Sequence, residues 1–380
     1  MMAGSIAIWL LCMLGAGALY IFEPAGITAA LAASAMLLPL LSALAAYAGS
    51  RKITAHLVTP DACESGARAE LGLKMKNHGM MPILRVRADI SAENLLTGEG
   101  VELRQSASLM ARDKLALKLE LQSKYCGAIR LSLRCLLIYD LFGIFRFRVR
   151  CSDTGMLMVV PAVFDVRLMF PEATSTASDS DEYSQLRPGR DPSEVFQIRD
   201  YAEGDSPRQI HWKLSTKYER LVVKDPGLPL ERYVLLLWER GNPAESAEQT
   251  DALLRVLVSV CRALTRQGIG CRLVWPEPSS ELCADHTVRS EDELYEILPK
   301  LLEAGSCGES VAERFLRQYG QEKEKRVLYL STMGSDALLE LCLDGRLTAL
   351  MCGCTEPVPG RAILFSAENA AEALFELELS

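Results

Sequence analysis

The chain has 380 residues, 24% of them charged, with 41 Lys and Arg against 49 Asp and Glu for a formal net charge of -8. That length allows more than one core, and the acidic balance argues against a nucleic-acid binder, which carries a basic domain or stripe. Twelve cysteines run from Cys12 to Cys354 without a Cys-x-x-Cys, and only four histidines could share a metal with them, so no structural zinc is expected and reduced, mostly buried thiols of a cytoplasmic protein are.

Ser5 to Phe22 and Ala25 to Ala48 are uncharged apolar runs separated only by Glu23-Pro24. At about 1.5 Å per helical residue they reach roughly 27 and 36 Å, against a hydrocarbon core of about 30 Å. Both can cross, which predicts a transmembrane helical hairpin over residues 1–50. A signal peptide would need a basic start and a cleavage site followed by polar chain, whereas Met1 to Gly4 has no Lys or Arg and a second apolar run follows at once. Arg51 and Lys52 close the second run, and the positive-inside rule assigns them and the soluble part to the cytoplasm. The expected location is therefore the cell membrane, multi-pass.

Over 51–170 the pattern has period two: Ala69, Leu71, Leu73 and Met75 alternate with polar residues, as do Leu115, Leu117, Leu119 and Leu121. Such alternation marks half-buried strands. Asn77-His78-Gly79 is a turn between two runs, and further strands are read at Ala128 to Ile138, Ile144 to Arg150 and Met156 to Val160. Roughly seven strands without a helix predict an antiparallel β-sandwich. The following stretch, 171–186, is rich in Ser, Thr and acids and nearly devoid of apolar side chains, so a flexible loop is expected there.

Residues 187–227 form a dense charged segment. Val195 to Tyr201 reads as a strand and Glu203-Gly204-Asp205 as a turn. Ser206, Pro207 and Gln209 suit the start of a short helix, and Leu221 to Lys224 returns as a strand. Capping chemistry does not account for the interleaving of Arg199, Arg208, Lys213 and Lys217 with Asp200, Glu203 and Asp205 around Trp212. Surface ion pairs contribute only about 0 to 1 kcal/mol each, which leaves two readings open: a structural charge network and a partner-docking surface.

From 228 to 380 the period changes. Tyr233 to Trp238 is a continuous apolar run, and Glu248 to Arg266 is helical with Leu253, Leu257, Val260 and Leu264 on one face. Cys271 to Trp275, Arg326 to Ser331, Ser335 to Leu343, Leu347 to Cys352, Ala362 to Phe365 and Glu368 to Leu379 continue the alternation, which predicts a parallel sheet covered on both faces. The expected fold class is thus α+β multidomain: hairpin, sandwich, then an α/β domain.

The order Arg199-x-Tyr201-x-x-Gly204-Asp205-x-x-Arg208-x-Ile210-x-Trp212, with Leu221-Val222-Val223-Lys224 after it, resembles the signature of the domain of unknown function 58 family. Tyr125-x-Gly127 and Asp140-Leu141-Phe142-Gly143-Ile144-Phe145 are similar to a second element of that family. The resemblance implies a membrane-anchored β-sandwich followed by a von Willebrand factor A-like, Rossmann-like domain. It also implies partners, a MoxR-type AAA+ ATPase and a transglutaminase-like membrane protein, and a role in maturing other complexes. The candidate interaction residues are Arg199, Tyr201, Gly204, Asp205, Arg208, Trp212 and Lys224.

No catalytic, cofactor or metal site is predicted. Where many von Willebrand A-like domains carry Asp-x-Ser-x-Ser for a divalent cation, this chain reads Glu239-Arg240-Gly241-Asn242, and Glu239 is expected to pair with Arg240. No phosphate-binding loop or nucleophile elbow occurs. His211 lacks an identifiable nucleophile, and the pairs Asp179/Asp181 and Glu291/Asp292 are expected to be solvated. The leading expectation is a non-enzymatic interaction or assembly factor; the alternatives are an envelope-associated hydrolase and a purely structural membrane protein.

Overall fold

Helices α1 (Met2–Phe22) and α2 (Gly26–Ser50) form the predicted pair. Their apolar segments have mean hydropathies of 2.1 and 2.0, and both are long and apolar enough to cross a membrane. Thr28 Oγ1 accepts from the Ala25 N–H at the start of α2, and Trp9 Nε1 donates to Ala35 O across the pair. The computed structural model describes residues 2–170, 191–200, 215, 220–227, 233–277, 280, 282–319, 326–335, 337, 347–354 and 361–379, with backbone alone for 2–3, 191–200, 224–227 and 233.

The stretch after α2 contains ten strands: β1 (Ile53–Val58), β2 (Ala62–Glu64), β3 (Arg68–Asn77), β4 (Ile83–Asn94), β5 (Gly100–Leu109), β6 (Lys114–Gln122), β7 (Gly127–Tyr139), β8 (Arg146–Arg150), β9 (Thr154–Val160) and β10 (Arg167–Met169). The first nine make one sheet ordered β1-β3-β6 and another ordered β2-β9-β7-β4-β5, with β8 paired to β7. The period-two pattern sets which side chains meet. Leu71, Leu73 and Met75 of the first sheet share a core with Val86, Ala88, Ile90, Leu131 and Leu133 of the second.

Strand β11 (Asp191–Asp200) pairs antiparallel with β12 (Val222–Gly227). The last sheet is ordered β15-β14-β13-β16-β17-β18: β13 (Tyr233–Trp238), β14 (Gly270–Pro276), β15 (Cys283–Val288), β16 (Val327–Ser331), β17 (Leu347–Cys352) and β18 (Arg361–Phe365). All neighbours are parallel except β14 and β15. A sheet covered on both faces needs apolar residues at successive positions, which is why the run Tyr233 to Trp238 does not alternate. Leu236 and Trp238 join one cluster, Leu235 and Leu237 the other. Helices α3 (Ala247–Arg266) and α4 (Glu291–Leu302) supply the first cluster, and α5 (Val311–Tyr319) the second.

Three details differ from the sequence reading. The acidic pair Glu291/Asp292 forms the first turn of α4 behind the N-cap Ser290, where carboxylates complement the helix dipole, and Glu291 accepts from Arg266 at 2.7 Å. Glu368 to Leu379 splits into a single turn, α6 (Ala370–Ala373), and a strand, β19 (Glu376–Glu378). Strand β19 pairs in parallel with β10 of the first body. The core follows the same path: Leu96, Cys126, Ala128, Val166 and Leu168 belong to one cluster with Trp238, α3 and Leu377.

Candidate functional site

Of the signature residues, Arg199 and Lys224 fall on described backbone. Arg199 stands opposite Val223, and Lys224 opposite Ile198, in the β11–β12 pair. This pair brings the two ends of the signature together. Tyr201, Gly204, Asp205, Arg208 and Trp212 lie outside the described residues, as do His211, Asp179 and Asp181 and the expected loop over 171–186. In β12, Val222 and Val223 are buried, with the Val222 N–H donating to Ser215 Oγ at 3.0 Å.

The second candidate is the C-terminal end of β13. From β13 the sheet grows to one side through β14 and to the other through β16, and ligand sites in open α/β sheets lie in the crevice at such a reversal. Glu239 occupies that point and is buried. Its carboxylate does not pair with Arg240, contrary to expectation. It accepts from the Val311 N–H at 2.9 and 3.0 Å, the Gly241 N–H at 3.0 Å, the Ser310 hydroxyl at 2.9 Å and the Tyr329 hydroxyl at 3.2 Å. Val311 is the first residue of α5, so Glu239 satisfies helix N–H groups that have no partner within the helix. Burial, then the charge of Glu239, pushes the Tyr329 phenol far up, so it stays protonated and donates. A carboxylate engaged in this way has its lone pairs occupied by the protein's own donors.

Arg240 turns the other way. Its guanidinium donates to Glu245 at 2.6 Å, to Thr250 at 2.8 Å and to the Leu96 carbonyl at 2.7 Å. The Arg240 and Glu245 side chains are only 3% and 5% exposed. Beside them the buried Asp251 accepts from the Cys126 N–H at 2.7 Å and pairs with Arg255 at 2.9 Å. Burial, then the charge of Asp251, pushes the Cys126 thiol well up, which removes it as a nucleophile. The seam between the two-sheet body and α3 is thus bonded by buried charges.

The stretches Tyr125-x-Gly127 and Asp140 to Phe145 acquire a physical reason. Tyr125 donates to Glu248 at 3.1 Å, at the edge of that seam. Gly127 has φ of +137°, and a Cβ there would collide with the Asn94 carboxamide. Asp140 is buried and accepts from the Phe145 N–H at 2.8 Å, with Gly143 at φ +69° closing the turn. Sequence reasoning missed Glu239 as a cap because Ser310 and Val311 are 71 and 72 positions away. One signal was present: two charged residues directly after a fully apolar strand stand where a parallel sheet leaves its crevice.

No family model and no curated protein matches the chain. Similar solved structures include a CARDB domain from Pyrococcus furiosus, at 16% identity over 28% of this chain and 87% of that one, with a TM-score of 0.22. An alkylpurine DNA glycosylase of Pseudomonas fluorescens matches at 17% identity over 35% and 38%, TM-score 0.21. A β-glucosidase of Listeria innocua matches at 10% identity over 28% and 16%, TM-score 0.21. At such scores neither fold nor activity is carried over.

Proposed function

We propose that the chain is a membrane-anchored interaction or assembly factor of the domain of unknown function 58 family, working with a MoxR-type AAA+ ATPase and a transglutaminase-like membrane protein. In this reading α1 and α2 are a transmembrane hairpin, the two sheets that share a core are a β-sandwich, and the six-stranded sheet is a von Willebrand factor A-like domain. Arg51 and Lys52, directly after α2, support a cytoplasmic setting for the soluble part.

The observation that supports binding over reaction is the state of Glu239. The one carboxylate at the sheet's crevice, among the described residues that follow β13 directly, is committed to holding the start of α5. It has become a structural clamp where related architectures would offer a cation ligand. Recognition then falls to the charged segment around Trp212.

Arg208→Ala in the full chain, followed by crosslinking and pull-down from native membranes, tests this. Partner capture should fall while the amount of protein stays constant. Unchanged capture at unchanged protein level would remove Arg208 from the docking surface; loss of the protein itself would make the segment a structural clamp.

A further inference from the structure

One end of the two-sheet body is built against α2. Ile83, at the start of β4, lies 3.1 Å from where a Cβ on Gly49 would stand, and the His78 N–H donates to Lys52 O at 2.8 Å. The turn between β7 and β8 reaches further. The Leu141 N–H donates to Ser42 Oγ at 2.8 Å, and the Ser42 hydroxyl is 3.5 Å from the Asp140 carboxylate. On the other helix, Ser5 Oγ is 3.4 Å from where a Cβ on Gly143 would stand.

The depth of these contacts follows from helix geometry. Glu23-Pro24 marks one boundary, and about 20 residues of helix cross the roughly 30 Å of hydrocarbon. The other boundary therefore falls near Ala46 in α2 and near Ala3 in α1. Ser42 and Ser5 both lie inside it. The turn bonded to Ser42 and lying beside Ser5 carries Leu141, Phe142 and Phe145, which are 64%, 41% and 37% exposed. Three large apolar side chains thus stand on a turn closed by Gly143 N–H to Asp140 O at 3.2 Å and Phe145 N–H to the Asp140 carboxylate at 2.8 Å.

Charge supplies an independent observation. Strand β8 presents Arg146, Arg148 and Arg150 exposed, with no ion-pair partner among the described residues. On the opposite sheet Lys76 stands directly across from Lys114, with Lys74 beside them. Like charges opposed across strands are unfavourable; the one acid beside them, Asp113, accepts from the Lys114 backbone N–H at 2.8 Å, and the three lysines have no ion pair among the described residues. Farther from α2 the same strands do pair their charges, Lys118 with Glu70 at 2.8 Å and Arg68 with Glu120 at 3.4 Å. Uncompensated cations in a chain of net charge -8 collect at the end that meets the helices.

We infer that the turn from Asp140 to Phe145 enters the bilayer as an apolar wedge, and that the cationic patches on β8 and on β3–β6 hold anionic lipid headgroups. The inference rests on the membrane reading of α1 and α2. The body then lies against the bilayer, fixed in tilt and distance, rather than hanging from the hairpin.

The full chain in lipid nanodiscs tests this, with a benzophenone amino acid placed in turn at Phe142, at Leu38 in α2 and at Leu364 in β18. Lipid adducts are expected at 142 and 38 and not at 364. Adducts at 38 without any at 142 would overturn the wedge and leave the hairpin standing; none at either would overturn both. For the headgroups, hydrogen exchange over 146–150 should slow on adding anionic lipid, which attracts basic residues close to its surface. R146Q/R148Q/R150Q should remove that difference, and equal exchange in neutral and anionic nanodiscs would overturn the electrostatic half.

Discussion

Glu239 illustrates how far one buried side chain can be committed by its surroundings. Glu239→Gln keeps the size but turns one acceptor into an NH2 facing the Val311 and Ala312 N–H groups. Leaving buried donors without an acceptor costs about 1 to 3 kcal/mol. The expected outcome is a loss of that order, seen as faster hydrogen exchange over α5 before the rest of the sheet. A second residue-scale expectation concerns acid. Burial, then the charge of Lys300, lowers the pKa of His286, whose ring stacks on Trp275 at 5.3 Å. The unfolded chain therefore takes up this proton more readily, so stability falls as pH drops through about 6.5 and levels off below the depressed folded value. For the adjacent Asp285 burial opposes ionisation, but the hydrogen bonds and charge of Arg272 outweigh it and the pKa is lowered. Its contribution is present above about 3.8 and is lost only below that. The share of a decline between pH 7 and 5.5 that comes from His286 should vanish in His286→Phe, which would flatten thermal unfolding curves over that range.

At the scale of elements, the central device is α3, which closes one face of the six-stranded sheet and bonds the two-sheet body with its first turns. Arg240→Ala would strand Glu245 as a buried, unpaired carboxylate, and breaking such a pair costs about 3 to 5 kcal/mol. The double change Arg240→Ala with Glu245→Gln should recover part of it, and denaturant unfolding of both variants measures the difference. Helix α3 and the alternating strands were legible because burial imposes a period on the sequence, and α1 and α2 because each is a long uncharged apolar run. Leu71, Leu73 and Met75 announce a face, and so do Leu253, Leu257 and Val260. What could not be read were the partners of single polar residues. Asp251 bonds Cys126 across 125 positions and Arg240 reaches Leu96 across 144, and no local pattern encodes such distances. Helices α4 and α5 escaped for another reason: they are short, and acidic first turns look like solvated loop.

For the whole molecule, the hydrophobic core does not respect the apparent boundary between its halves. Leu96, Ala128 and Leu168 are packed with Trp238, Leu257 and Leu377 in one cluster. Residues 228–380 produced alone should therefore expose apolar surface and aggregate, whereas the full chain in membrane mimetic should unfold the two bodies in a coupled transition. Circular dichroism and light scattering would distinguish these behaviours. Strand β19 adds a consequence for biosynthesis. Its partner β10 leaves the ribosome early, yet the β10 edge stays open until the entire α/β sheet has been translated. A helical pair already threaded into the bilayer would hold the nascent body in place throughout that interval. The last seam to form is then made between neighbours that the membrane has kept within reach, and solution refolding of the same chain would have to find that pairing unaided.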